Sequence, residues 1–76
     1  MGLIDILHER VGCDYISSLR NPIYFPLLYA ALNRIRADDY SMWQWQDTVQ
    51  YITGSSVRFN SSQQALNYLM EFVNEK

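Results

Sequence analysis

The residues able to do chemistry are few. There is one histidine, His8, and one cysteine, Cys13. They are five positions apart, with Gly12, a helix-stopping residue, between them. A helix places residues three or four apart on one face, so a break at Gly12 denies these two a shared face as nucleophile and base. His8 reads as a boundary residue on a helix, and Cys13 as a small buried apolar group. A single cysteine also excludes an intramolecular disulfide and a thiolate zinc cluster. The adjacent pair Asp38 and Asp39 is the one carboxylate doublet. Placed just before a helix, such a doublet complements the partial positive charge of the helix start. No glycine-rich phosphate loop, H-E-x-x-H or calcium loop occurs. The expectation is a non-catalytic protein with no cofactor, no metal and no small-molecule substrate.

A second candidate chemistry is phosphate binding. Arg20, Arg34 and Arg36 could touch phosphates, with Tyr24 and Tyr29 stacking on bases. Net charge is −2 over 76 residues; residues 1–36 sum to +1 and residues 37–76 to −3. Neither half has the dense positive field that non-specific nucleic-acid binding needs. The last helix carries no Arg or Lys in its first turns, where a recognition helix meets bases. The connection before it, from about Thr53 to Asn60, exceeds the three- or four-residue turn of a helix-turn-helix. Nucleic-acid contact through the three arginines is therefore the alternative reading.

The third candidate is binding of another protein. The stretch MWQWQDTVQY, residues 42–51, alternates aromatic and amide residues like a strand. Over a longer window, however, Met42, Trp45, Val49 and Ile52 recur at helical spacing. On a helix advancing about 100° per residue, Trp43 and Tyr51 both fall far from that stripe, among Gln46, Asp47 and Gln50. A Trp set among neutral amides resembles the centre of an interface, where Trp, Tyr and Arg dominate binding energy. The alternative is that another helix of the same chain covers this back face. Arg outnumbers Lys five to one, a bias that interfaces share. The expected site is Trp43, Gln46, Gln50 and Tyr51, and the expected partner another protein or a second copy in a homodimer.

The elements that must position these side chains are legible from spacing and caps. A chain of this length implies one domain, residues 1–76. Hydrophobic residues make up 49% and charged residues only 18%, which excludes a disordered chain. In LIDILHERVG, residues Leu3, Ile4, Ile6, Leu7 and Val11 share one side of a helix, and Gly12 suits its C-cap. Asp14 could cap a short helix over 14–19 that puts Tyr15, Ile16 and Leu19 on one face. Asn21-Pro22 marks a boundary. The run PLLYAALNRIRA predicts a helix from near Pro26 whose wide stripe of Leu27, Leu28, Ala31, Leu32 and Ile35 meets more than one neighbour. Ser41 and Gln44 form a capping box, with Tyr40 and Trp45 as its hydrophobic staple, and Gly54 ends that helix. Ser61 and Gln64 repeat the box before a last helix carrying Ala65, Leu66, Leu69, Phe72 and Val73.

Between the last two helices, Val57 and Phe59 point opposite to Arg58. This segment reads as a linker anchored in the core or as an edge strand that pairs with another chain. The fold class predicted is all-α: a small compact bundle of four main helices, plus the short one. Its expected core is Leu7, Leu28, Leu32, Ile35, Trp45, Val49, Ile52, Leu66, Leu69 and Phe72. No apolar run approaches the roughly 20 residues of a membrane span. MGLIDILHER lacks the basic start and unbroken apolar run of a signal peptide. The expectation is a cytoplasmic protein, complete from its own start codon.

Overall fold

Each helix begins and ends where a local hydrogen-bonding device demands it. The computed structural model describes residues 2–74. Its four α-helices are α1 (Leu3–Val11), α2 (Phe25–Leu32), α3 (Met42–Thr53) and α4 (Ser62–Asn74). Three 3₁₀ turns, Ile16–Arg20, Pro22–Tyr24 and Ala37–Asp39, link the first three helices, and no strand occurs among the described residues. The protein is all-α.

Gly12 and Gly54 close α1 and α3 at φ of 79° and 78°. These are left-handed conformations that cost a residue with a Cβ about 1–2 kcal/mol. Ser41 Oγ accepts the Gln44 amide at 3.2 Å, and Ser61 Oγ accepts the Gln64 amide at the same distance. Both serine caps thus form as their spacing predicts. The reciprocal glutamine bonds go elsewhere. Gln64 Oε1 accepts from the Asn60 amide, one residue upstream of the cap. Gln44 Oε1 accepts from the Leu3 amide at 2.9 Å, across 41 positions of sequence.

The helices pack as a ring: α1 against α2 and α3, and α4 against the other sides of the same two. Each supplies a buried stripe at helical spacing. These are Leu3, Leu7 and Val11; Leu28, Ala31 and Leu32; Trp45, Thr48, Val49 and Ile52; and Ala65, Leu66, Leu69 and Val73. Trp45 sits at the centre with no exposed surface. Its indole N–H donates to the Ala37 carbonyl at 2.9 Å, which answers the polar requirement of a buried Trp. The Tyr40 ring meets it edge-on, with centroids 6.4 Å apart, as the staple requires.

Four expectations need correction. The short helix over 14–19 is a 3₁₀ turn over Ile16–Arg20, with Tyr15 in extended conformation at its cap position and no side-chain cap bond. Tyr15 and Ile16 are exposed there, and Leu19 alone is buried. Five residues form too short a run to hold an α-helix without packing on both sides. Next, α2 stops at Leu32, not beyond Arg36. The Arg34 and Ile35 amides bond to Ala31 and Leu32 carbonyls in i→i+3 fashion, so the last turn tightens and Ile35 enters the core from a loop. Phe72 is half-buried, not core; its ring lies 5.7 Å from that of Phe25 and seals the α2–α4 seam. Finally, Leu27 leaves the α2 stripe and is 52% exposed.

The segment before α4 has no strand assignment. Val57 and Phe59 are half-buried and Arg58 is exposed. The Phe59 ring rests 5.4 Å from Tyr68 of α4. Within this chain it is a linker anchored by its aromatic residue.

Candidate functional site

The outer face of α3 is built by the same register that buries Trp45. Trp43 is two positions away, hence about 200° around the helix, and it is 73% exposed. Asp47 and Gln50 are exposed beside it, and Gln46 is half-buried. These four occupy the arc opposite the core.

Tyr51 behaves differently from the other site residues. It is half-buried and packs against the core cluster. The reason is Thr48, which is 2% exposed. Thr48 lies between the apolar stripe and Tyr51 around the helix, so α3 buries a wider arc than its apolar residues mark. The 3₁₀ turn Ile16–Arg20 and α1 both pack on α3. The Arg20 guanidinium carbon stands 5.5 Å from the centre of the Tyr51 ring, within range of a cation–π attraction. Tyr51 is therefore the margin of the face and Trp43 its most exposed member.

Two shallow grooves flank this face. One, of about 280 Å³, runs between the starts of α1 and α3 and is lined by Gly2, Ile4, Ser41, Trp43 and Asp47. The other, of about 350 Å³, is lined by Arg20, Asp47, Gln50 and Tyr51. Asp47 borders both grooves. The Gln44 bond to Leu3 holds the first groove together, because it ties the start of α1 to the first turn of α3. Sequence reasoning missed this bond. The S-x-x-Q spacing called for a local partner, and nothing in the spacing identifies a distant amide that competes for the same oxygen.

Of the arginines of the alternative reading, Arg20 and Arg34 line different grooves. Arg20 lines the groove beside Tyr51. Arg34 lines a different groove with Arg10, Leu27, Ala30 and Ala31. Arg36 is exposed at the cap of the 3₁₀ turn Ala37–Asp39. The loss of helical structure after Leu32 separates Arg34 and Arg36 from any common helix face. Tyr24 and Tyr29 are half-buried against the core cluster.

His8 and Cys13 are also accounted for. Cys13 is buried and its thiol donates to the Tyr15 carbonyl at 3.3 Å. His8 Nε2 is a buried atom without a hydrogen-bond partner. Asp38 and Asp39 are exposed in the turn that leads into α3. Among the described residues no group of three or more His, Cys, Asp or Glu is placed to hold a metal ion, and no helix is long and apolar enough to cross a membrane.

Comparison with known proteins adds no relative: no family model matches the chain, no curated protein matches it, and no solved structure matches it.

Proposed function

We propose that this chain is a small non-catalytic protein-interaction module, a regulator, inhibitor or accessory subunit, that binds a protein partner through the outer face of α3. The observation that carries this reading is the contrast between its two tryptophans. Trp45 is wholly buried and Trp43 is 73% exposed on a rigid helix. An exposed Trp held by helical backbone loses little further freedom on binding, so most of its burial counts toward affinity. Burying the exposed part of one Trp is worth about 4 kcal/mol at 25 cal/mol per Å². Gln46 and Gln50 supply amides that are cheaper to desolvate than charges. Arg20 with Tyr51 forms a cationic, aromatic rim. We place this activity in the cytoplasm, in keeping with Cys13, a free thiol in a fold without disulfides.

The test pairs capture with a point variant. Tagged protein and its Trp43→Ala form are used as bait in native extract of the source cells, with and without nuclease, and bound species are identified by mass. The reading expects a nuclease-resistant protein retained near one-to-one by the parent and lost by the variant. It also expects the melting temperature of Trp43→Ala to stay close to the parent value. Partners that vanish with nuclease would transfer the function to the arginines. A sedimentation shift to dimer that Trp43→Ala abolishes would make the partner a second copy.

A further inference from the structure

Helix α2 reads FPLLYAAL, apolar at every position. A helix apolar all round belongs inside a protein, yet α2 buries only Leu28, Ala31 and Leu32. Its solvent side carries Pro26, Leu27 and Ala30, all exposed, and Ile23 in the 3₁₀ turn just before it is exposed as well. Pro26, Leu27 and Ala30 lie within about 100° of one another around α2, so they form one apolar side on the outside of the bundle. Ile23 is 74% exposed and Leu27 52%. Leaving that side in water forgoes burial in a domain whose size already makes its stability marginal. The apolar side is a ridge between two grooves. One, of about 680 Å³, separates α2 from the end of α4 and is lined by Phe25, Pro26, Tyr29 and Val73. The other, of about 360 Å³, lies toward α1, and its polar walls are Arg10 and Arg34.

We infer that the solvent side of α2 is a second docking surface, for an acidic amphipathic segment of another protein. Charge decides the occupant. Arg10 and Arg34 line the same groove as Leu27 and Ala30, and the ridge itself bears no carboxylate. Arginine pairs with carboxylate through two parallel N–H···O bonds. An apolar anchor lying on Leu27 and Ala30 with Asp or Glu on its flanks therefore satisfies every group of this groove. A second copy satisfies it less well, because a self-paired α2 offers Leu27 an apolar partner but the arginines no acid.

Size points the same way. Eight residues make a helix about 12 Å long and 10 Å across. Its exposed half presents on the order of a few hundred Å², against the roughly 800 Å² per partner of a stable dimer. That area suits a short helix laid in a groove. A flat membrane surface would cover the ridge but leave the grooves on both sides unfilled.

The experiment pans a display library of random dodecapeptides against the immobilised full-length protein. Selected peptides are then measured against Leu27→Gln, Arg10→Glu/Arg34→Glu and Trp43→Ala. Leu27 and both arginines are exposed, so the first two variants keep the fold; circular dichroism checks this. The expected peptides combine apolar residues at i, i+3 or i, i+4 with two or more Asp or Glu. Their affinity falls at least tenfold with Leu27→Gln and with the double reversal, and is unchanged by Trp43→Ala. Several results would overturn the inference: no enrichment, enrichment of basic or neutral peptides, or peptides that Leu27→Gln still retains. Two others would do so as well: co-sedimentation of the chain with phosphatidylserine vesicles abolished by Leu27→Gln, or a dimer abolished by the same change.

Discussion

Replacing Gln44 with Ala removes one hydrogen bond, and that bond joins two helices. Gln44 Oε1 accepts the Leu3 amide at 2.9 Å in a partly buried setting. The Leu3 amide is one of the first N–H groups of α1, which have no partner within the helix. Gly2, the residue before it, has no side chain with which to cap, and its own amide reaches Asp5 Oδ2 at a long 3.3 Å. Losing a cap of this kind costs about 1 kcal/mol.

For a domain of this size, 1 kcal/mol lowers the melting temperature by roughly 4–8 °C. With a urea slope near 1 kcal/mol per M, it lowers the denaturation midpoint by about 1 M at unchanged slope. Gln44→Glu keeps an acceptor in place and sets a negative charge at a helix start, opposed by the Asp5 carboxylate beside it, so it should lose less stability than Gln44→Ala. The assay is urea unfolding followed by circular dichroism, with amide hydrogen exchange at Leu3 as the local readout. The parent Leu3 amide is expected to exchange slowly, and that of Gln44→Ala at a rate near that of a frayed end. An Ala variant with unchanged midpoint and unchanged Leu3 exchange would refute the idea that α3 caps α1.

Other outcomes follow from features already described. Trp45→Phe should cost about 2–4 kcal/mol, since it leaves the Ala37 carbonyl unpaired and opens a void at the centre of the ring of helices; calorimetry checks this. Gly54→Ala should cost about 1–2 kcal/mol from backbone strain alone, because a Cβ there meets no neighbour within 4 Å; Gly54→Asn should recover part of the loss in the same melt. His8→Leu should raise stability by about 1 kcal/mol in urea unfolding, because it removes a buried nitrogen that has no partner.

What was legible in the sequence was what local geometry dictates. Ser41, Ser61, Gly12 and Gly54 each act within one turn of their own position, and each ends or begins a helix where its type requires. The buried stripes of α1, α3 and α4 were legible because polar residues on the opposite face give the period a phase. Helix α2 has no such phase. With every position apolar, spacing alone cannot tell Leu28, which is buried, from Leu27, which is not. Neighbours decide it, and neighbours are long-range. The same holds for Thr48 and Tyr51. A threonine reads as polar until Ile16–Arg20 and α1 are known to lie against it. Trp43 was legible as an outward residue because its angle from Trp45 depends on helical pitch alone.

The two tryptophans also make the protein a two-channel reporter of its own state. Trp45 is sealed from water with its N–H committed to a carbonyl, while Trp43 stands in solvent. Their fluorescence therefore separates by colour and by access to quencher. The blue, iodide-resistant component belongs to Trp45 and reports whether the bundle is folded. The red, quenchable component belongs to Trp43 and reports whether the face of α3 is covered. A partner arriving on that face would shift and shield the second signal and leave the first untouched. Unfolding would move the first onto the second. One unlabelled sample thus distinguishes binding from denaturation.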